Sequence, residues 1–392
     1  AKNSSKVSMR WFSKKNKCDA GAKRPFGCGK FDITLFFAIV ALMSFGVMMV
    51  YSASSYSAEK TYGDAKFFMY KQLFGVILGV AAMTAMSLFD YHKLIKLRYV
   101  VLAVSFLLLV LVFVPGIGVE NYGAKRWIKF PFFTLQSSEV AKFGFVIFSA
   151  AYLAKHHDKI HKFVYLLPVL GVGGAMCLLI MLEPNMSVTM CLALVMMIML
   201  FAGGTRKKPF AFLALPLAAA VPALIIAEPY RMKRMTAFLH PWDNPLEEGY
   251  QLIQSLYAIG SGGFLGVGLF NSRQKYLFLP FAESDFIFSV IGEETGFIGC
   301  VTVIAVYILI ISRLTSIAKK APDREGCLLS GGIAAVVAVQ TLINVAVVTG
   351  SIPPTGVPLP FVSSGSSSII AFCCAVGIAL NVGRQSADYR KF

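Results

Sequence analysis

The sequence predicts an all-α polytopic membrane protein of ten transmembrane helices, with both chain termini on the cytoplasmic side. Three observations carry that prediction. Of 392 residues, 57% are hydrophobic and only 15% are charged, with a mean hydropathy of +0.68. Soluble domains carry about 25% charged residues, so polar surface is too scarce here for two or three soluble domains, and a disordered chain is excluded as well. Apolar runs of about 20 residues recur along the chain, each able to cross a hydrocarbon core of about 30 Å at 1.5 Å per residue. Finally, the basic residues are distributed unevenly between alternate connections.

The runs fall at 32–53, 67–88, 97–116, 138–155, 163–182, 187–204, 209–227, 285–313, 327–350 and 363–383. They are too long and too weakly alternating for strands. An even number of spans puts both termini on one side. That side collects 25 of the 37 Lys and Arg residues, nine of them in residues 1–30; the other side has 10, and Lys71 and Lys142 lie within spans. Cytoplasmic loops retain Lys and Arg, which fixes the orientation. The formal charge of +17 is therefore mostly an orientation signal, and charges are too few overall for a nucleic-acid binder. The expected organisation is a basic cytoplasmic tail (1–30), one membrane domain (31–384) with a large outer loop (228–284), and a short cytoplasmic tail (385–392). The N-terminal tail either lies against anionic lipid head groups or is simply solvated. It has no cleavable-signal pattern. Cys177, Cys191, Cys300, Cys373 and Cys374 fall in spans as small apolar residues. Cys18 and Cys28 lack a second pair at zinc spacing, so no metal site is expected.

Two outer loops are long, 117–137 and 228–284. The second is rich in aromatics and prolines, which favours order and function. Within it Gln251–Ala258 could form a short amphipathic helix. The run Gly260-Ser261-Gly262-Gly263-Phe264-Leu265-Gly266-Val267-Gly268 fails the G-x-G-x-x-G spacing and lacks a βαβ unit. It reads instead as close backbone packing or a tight turn. Arg231, Lys233 and Arg234 cluster on the outer face against the global bias, and Lys125, Arg126 and Lys129 form a second group. Phosphate is the partner such clusters bind through charge-assisted hydrogen bonds; lipid head groups are the alternative.

Ionisable residues at membrane depth are rare and usually functional. Glu139 and Lys142, at i, i+3, share a helix face and can pair. Asp285 lies at the outer boundary of span eight, where a carboxylate solvated on one side suits a general base; the alternative is an N-cap, with Ser284 as rival. Glu293 is about 80° from Asp285 around a helix and Glu294 about 180°; both read first as structural, pairing with Lys142 or with backbone groups, and Glu293 is also a candidate cavity-facing charge. Pro358-Leu359-Pro360 followed by Ser363-Ser364-Gly365 is uncharged broken backbone of the kind that lines cavities, which adds Ser363 and Ser364. Glu183-Pro184-Asn185 reads as a turn. His156, His157 and His161 read as part of a basic inner loop.

From span one to its end, the chain resembles the SEDS family (shape, elongation, division and sporulation). The segments that carry the likeness are Met49–Ser54, Arg126-Trp127-Ile128, Gln136–Lys142, Glu183-Pro184-Asn185, Tyr230–Arg234, Pro241–Pro245, Gly249–Ser255, Leu279-Pro280, Asp285–Phe288 and Pro358–Phe361. Gln254–Ala258 and Ser272–Lys275 look more like the division and sporulation branch than the elongation branch. The resemblance implies a ten-span peptidoglycan glycosyltransferase of the bacterial cytoplasmic membrane, polymerising lipid II at its outer face during division or sporulation. It implies that Asp285 is the base, that Glu139 and Lys142 face a central cavity, and that Arg126, Arg231, Lys233 and Arg234 take up charge on a departing lipid pyrophosphate. A divalent cation, Mg or Mn, could aid departure, though no dedicated cage is visible. The implied partners are a class B penicillin-binding protein with transpeptidase activity and other division or sporulation proteins. Several positions depart from the family pattern: Ser137 stands where proline is usual, Asn185 where aspartate is usual, Glu283-Ser284 where His-Thr is usual, and Ser363–Ser367 where Ser-Tyr-Gly-Gly-Ser is usual. A lipid II flippase and a non-catalytic scaffold for the transpeptidase are the alternative functions.

Overall fold

A computed structural model describes residues 31–121, 124–129, 134–205, 226, 229–247 and 249–386. Asp32 accepts a hydrogen bond from the Leu35 amide at 3.0 Å and starts α1 (Ile33–Tyr62), which ends where Gly63 takes φ 71°. This is a side-chain N-cap and a left-handed glycine stop. α2 (Phe67–Leu88) returns, and Asp90 caps the short α3 (Tyr91–Lys96) ahead of α4 (Arg98–Leu111). The chain then leaves helix for three antiparallel strands, β1 (Gly118–Asn121), β2 (Ala124–Lys129) and β3 (Thr134–Gln136), in the order β1-β2-β3. Trp127 lies opposite Val119 on one side and Gln136 on the other. The all-α expectation is corrected at this loop. Val119, Trp127 and Ile128 suit a pleated surface, but strands of three to six residues are too short to show a period of two.

α5 (Ser137–Lys155) follows directly from β3, and a 3₁₀ turn leads into α6 (Leu167–Leu182). α7 (Met186–Ala202) is capped by Asn185, whose Oδ1 accepts from the Val188 amide at 3.3 Å. After the undescribed stretch come α8 (Pro229–Leu239) and α9 (Tyr250–Gly262), the second matching the expected amphipathic segment. α10 (Ile287–Lys320) is interrupted at Gly296, with φ 67° and ψ −165°. Asp323 caps α11 (Arg324–Val348), and α12 (Ser366–Gln385) closes the chain.

Among the described residues, α1, α2, α10, α11 and α12 are long and apolar enough to cross a membrane, and α4, α6 and α7 are shorter apolar helices. Each expected run except 209–227 coincides with a helix. That run, the tail 1–30 and most of 385–392 lie outside the described residues. The core is centred on α5, α7, α11 and α12, with Phe145, Leu200, Val336 and Phe372 fully buried. α2 lies close along α12: a Cβ at Gly75 would meet Ser366 at 2.8 Å, and one at Gly377 would meet the Met83 carbonyl at 2.5 Å. Small residues permit this approach where lipid gives helices no hydrophobic drive to associate.

Candidate active site

The sheet, the α6–α7 turn, α8, α9, the segment before α10 and the segment between α11 and α12 gather at one end of the bundle. The last of these, residues 349–365, is irregular, so its carbonyls need partners from elsewhere. Side chains supply them. Arg234 on α8 donates to the Pro354 carbonyl at 3.3 Å, Asn344 on α11 to Val357 at 2.7 Å, and Gln340, one turn earlier, to Pro358 at 3.0 Å. The Tyr307 hydroxyl on α10 donates to Pro360. Gln72 on α2 reaches the carbonyls of Val362 and Ser363 at 3.2 and 3.1 Å.

This held loop in turn grips the segment carrying Asp285. Ser363 donates its hydroxyl to the Ser284 carbonyl and accepts from the Leu359 amide at 2.8 Å, while the Ser364 amide donates to Glu283 at 2.9 Å. Asn344 adds a bond to the Asp285 carbonyl at 2.8 Å. A Cβ on Gly356 would come within 3.0 Å of Asp285 Oδ2, so the loop backbone faces the carboxylate. The cap alternative for Asp285 falls: Phe286 holds the N-cap position of α10, and no side chain caps it. Asp285 is half-buried. Desolvation raises its carboxyl to about 6, with the charge of Glu283 adding to the rise and those of Arg126 and Arg234 opposing it. A carboxyl tuned in this way can hold or release a proton near neutral pH.

Arg126, on β2, donates to the carbonyls of Glu183 and Pro184 at 3.2 and 2.5 Å. It thereby ties the sheet to the α6–α7 turn while its charge still acts on Asp285. Glu183 is buried and accepts from Ser137 at 3.0 Å; burial pushes its carboxyl up to about 8 despite Ser137 and Arg126. Glu139 and Lys142 pair at 2.8 Å on the first turns of α5, both fully buried. Lys142 also donates to Gln340, Ser368 donates to the second Glu139 oxygen at 3.2 Å, and the Phe372 ring lies 5.5 Å from the ammonium. One hydrogen-bonded network therefore joins α5, α11, α12 and the 349–365 loop.

Some expected groupings separate. Arg231, Lys233 and Arg234 lie on the helix α8, which turns neighbours 100° apart. Arg234 faces the 349–365 loop, whereas Lys233 lines a pocket with Met232, Thr236, His240, Asp243 and Glu247. The side chains of Arg231 and Lys125 lie outside the described residues. Glu293 does not join the other charges, because its oxygens accept from the Ser272 hydroxyl and from the amides of Arg273 at 2.8 Å and Gln274 at 3.4 Å. The Ser363 hydroxyl is taken up by the Ser284 carbonyl and the Leu359 amide, and the Ser364 amide by the Glu283 carbonyl. Among the described residues no three His, Cys, Asp or Glu side chains converge on a common point. Gln72, Gln340 and Asn344 were missed by a search for charges. The available signal was an uncharged polar residue inside an apolar run, with Gln340 and Asn344 at i, i+4 on one face.

Residues 33–388 match the family described as Cell cycle protein, that of FtsW, RodA and SpoVE. The chain belongs to this family. Relatives within it include a probable peptidoglycan glycosyltransferase FtsW from Geobacter sp. (strain M18), 40% identical over 356 residues, covering 91% of this chain and 97% of the relative. Stage V sporulation protein E of Bacillus subtilis (strain 168) is 38% identical over 356 residues with the same coverage. Among solved structures, a chain from work on structural coordination of polymerization and crosslinking by a peptidoglycan synthase complex superposes with a TM-score of 0.71 at 28% identity, covering 92% of this chain and 99% of its own. Thermus thermophilus rod shape determining protein RodA gives 0.65 at 25% identity, over 91% and 97% of the two chains.

Proposed function

We propose that this protein is a peptidoglycan glycosyltransferase that polymerises lipid II at the outer face of the cytoplasmic membrane. The observation that carries the reading is the placement of Asp285, whose carboxyl is raised to about 6 within the fields of Arg126 and Arg234. Asp285 takes the proton of the acceptor sugar hydroxyl as that oxygen attacks the anomeric carbon of the donor. The bond from that carbon to the lipid pyrophosphate breaks, and its electron pair leaves with the phosphate. Arg126 and Arg234 offset the charge that develops there. Glu139 and Lys142 shape the buried polar floor beside the site. The chain is a multi-pass membrane protein, and ten spans with cytoplasmic termini, a basic 1–30 tail and an outer loop over 228–284 agree with its charge asymmetry. A class B penicillin-binding protein is the partner that would crosslink the product, within a division or sporulation assembly.

The test is polymerisation of lipid II by the purified protein with candidate transpeptidase partners. Asp285→Asn is expected to abolish strand growth while leaving thermal unfolding in detergent unchanged. Full polymerisation by that variant would remove Asp285 as the base. Transport of labelled lipid II into liposomes, indifferent to Asp285→Asn, would support the flippase reading instead.

A further inference from the structure

Between α9 and Asp285 the chain makes an irregular strap, residues 263–286, whose shape no regular element dictates. Phe270, Leu277 and Phe281 hold φ of 65°, 68° and 56° within it. The left-handed region is costly for bulky residues and persists only where the surroundings over-determine it. The first part of the strap, as far as Lys275, packs against the break in α10. Because Gly296 leaves the helix, the backbone groups on either side of it become available. Glu293 and Glu294 carbonyls accept from the amides of Val267 and Gly268 at 2.9 and 3.1 Å, and the amides of Phe297 and Ile298 donate to Gly263 and Phe264 at 2.9 and 3.3 Å. A Cβ at Gly262 would meet the Gly292 carbonyl at 2.0 Å, and one at Gly266 the Glu294 carbonyl at 2.1 Å. The glycine-rich run is therefore the surface that fits the broken helix.

The two side chains at the break take the next stretch. Glu293 accepts from the Ser272 hydroxyl and the Arg273 and Gln274 amides. Glu294 accepts from Ser52 on α1 and from the Ser272 amide at 3.3 Å, with the Lys275 ammonium 4.0 Å away. Both carboxylates are about 1% exposed. From there the strap proceeds by turns: Tyr276 donates to Arg273 at 3.2 Å, Leu279 to Gln274 at 3.1 Å, and Ser284 and Phe286 to Phe281 at 3.1 and 3.4 Å. Two successive sets of turns, 273–279 and 281–286, thus lead along the chain from the anchored residues to those flanking Asp285.

We propose that Glu293 and Glu294, presented by the Gly296 break, form a latch that positions the strap and, through it, Asp285. They are positioning residues for the polymerase reaction, and the inference rests on the reading given under Proposed function. Glu293→Gln keeps the side chain's size but replaces one acceptor oxygen with a donor. Ser272→Ala removes a single partner of the latch and is the milder variant should the first fold poorly.

The experiment uses the full chain with its transpeptidase partner and measures lipid II polymerisation against pH and substrate concentration. Hydrogen exchange of amides 272–281 is followed in the same preparations. Glu293→Gln is expected to speed exchange across 272–281 and to lower kcat about tenfold, since small displacements of a reacting group carry large rate costs, with KM within about twofold. Its acid limb is expected to move from near pH 6 toward the ordinary carboxylate value of about 4 as Asp285 gains solvent among Arg126, Arg234 and Glu283. Ser272→Ala should shift all three readouts in the same direction by less. Faster exchange with kcat and the acid limb unchanged would overturn the latch, as would unchanged exchange in both variants. Asp285→Asn, measured alongside, separates this from failure of the polymerase reading: if that variant polymerises at full rate, the reading falls whatever the latch does.

Discussion

The two ends of the helical bundle use carboxylates in opposite ways. At the end where α1 begins, Asp90 and Asp323 cap α3 and α11 and share the His92 ring, with Nδ1 2.8 Å from Asp90 and Nε2 2.9 Å from Asp323. Tyr91 donates to Asp323 at 2.7 Å and Gln385 to Asp90 at 3.1 Å. Both of these carboxylates complete a regular helix start. At the sheet end Asp285 caps nothing, its helix begins two residues later without a side-chain cap, and the surrounding backbone is irregular and held by side chains. Where carboxylates satisfy helix ends they contribute order. Where one is kept off the cap and half-buried, desolvation raises its carboxyl to about 6 against the charges of two guanidinium groups.

The largest expected effect tests that contrast at Asp285 itself. A base must be ionised, so polymerisation measured as kcat/KM should rise with pH through about 6 and level off above it. Asp285→Asn should lower the rate by about 10²- to 10⁴-fold, the usual contribution of a general base. A profile flat from pH 5 to 8 would break the comparison, since Asp285 would then behave like the capping carboxylates.

Next in size is the buried pair. Lys142→Ala leaves Glu139 fully buried without its ammonium, and breaking such a pair costs about 3–5 kcal/mol. The midpoint of thermal unfolding in detergent should fall sharply, and the double variant Lys142→Met, Glu139→Gln should recover much of the loss. If the single variant is as stable as the unaltered protein, the network beneath the site is not a structural floor. A smaller effect is expected from Asn344→Leu, which strands two buried carbonyls, those of Asp285 and Val357. About 1–3 kcal/mol of stability should go, together with a loss of kcat larger than any loss at the opposite end of the bundle.

Much of this architecture was legible before the structure, and the parts that were not share a cause. Long apolar runs announced α1, α2, α10, α11 and α12 because bilayer thickness fixes their length. Asp285, Glu139 and Lys142 stood out because charge is rare in such runs. Gln72, Gln340 and Asn344 did not, since an amide carries no charge to mark it, yet they hold the loop around the site. The sheet at 118–136 leaves no signal in the sequence because its strands are too short for periodicity. The basic residues at 231–234 resemble one patch in the sequence because proximity along the chain hides the rotation of a helix. The break at Gly296 was invisible because only its φ and ψ, and not its residue type, separate it from an ordinary helical glycine.

The smallest expected effect sits at the opposite end. Both ring nitrogens of His92 lie within hydrogen-bond distance of carboxylate oxygens, which only accept, so the doubly protonated ring fits the clamp. Partial burial works against the charged ring, but its hydrogen bond to Asp90 and the charge and accepting oxygen of Asp323 raise its pKa overall. The folded state therefore binds this proton more tightly than the unfolded chain, whose His titrates near 6.5. The stabilisation is fully present below about pH 6.5 and is lost as pH rises through the higher folded value. With the ring 40% exposed, solvent screening limits it to about 1 kcal/mol. Unfolding midpoints measured between pH 6 and 9 should converge for the unaltered protein and His92→Gln as the pH increases, while polymerisation by the two stays equal at each pH. A midpoint difference that grows with pH would reverse the sign argued here, and a difference in polymerisation would mean that the capping end and the reactive end are coupled.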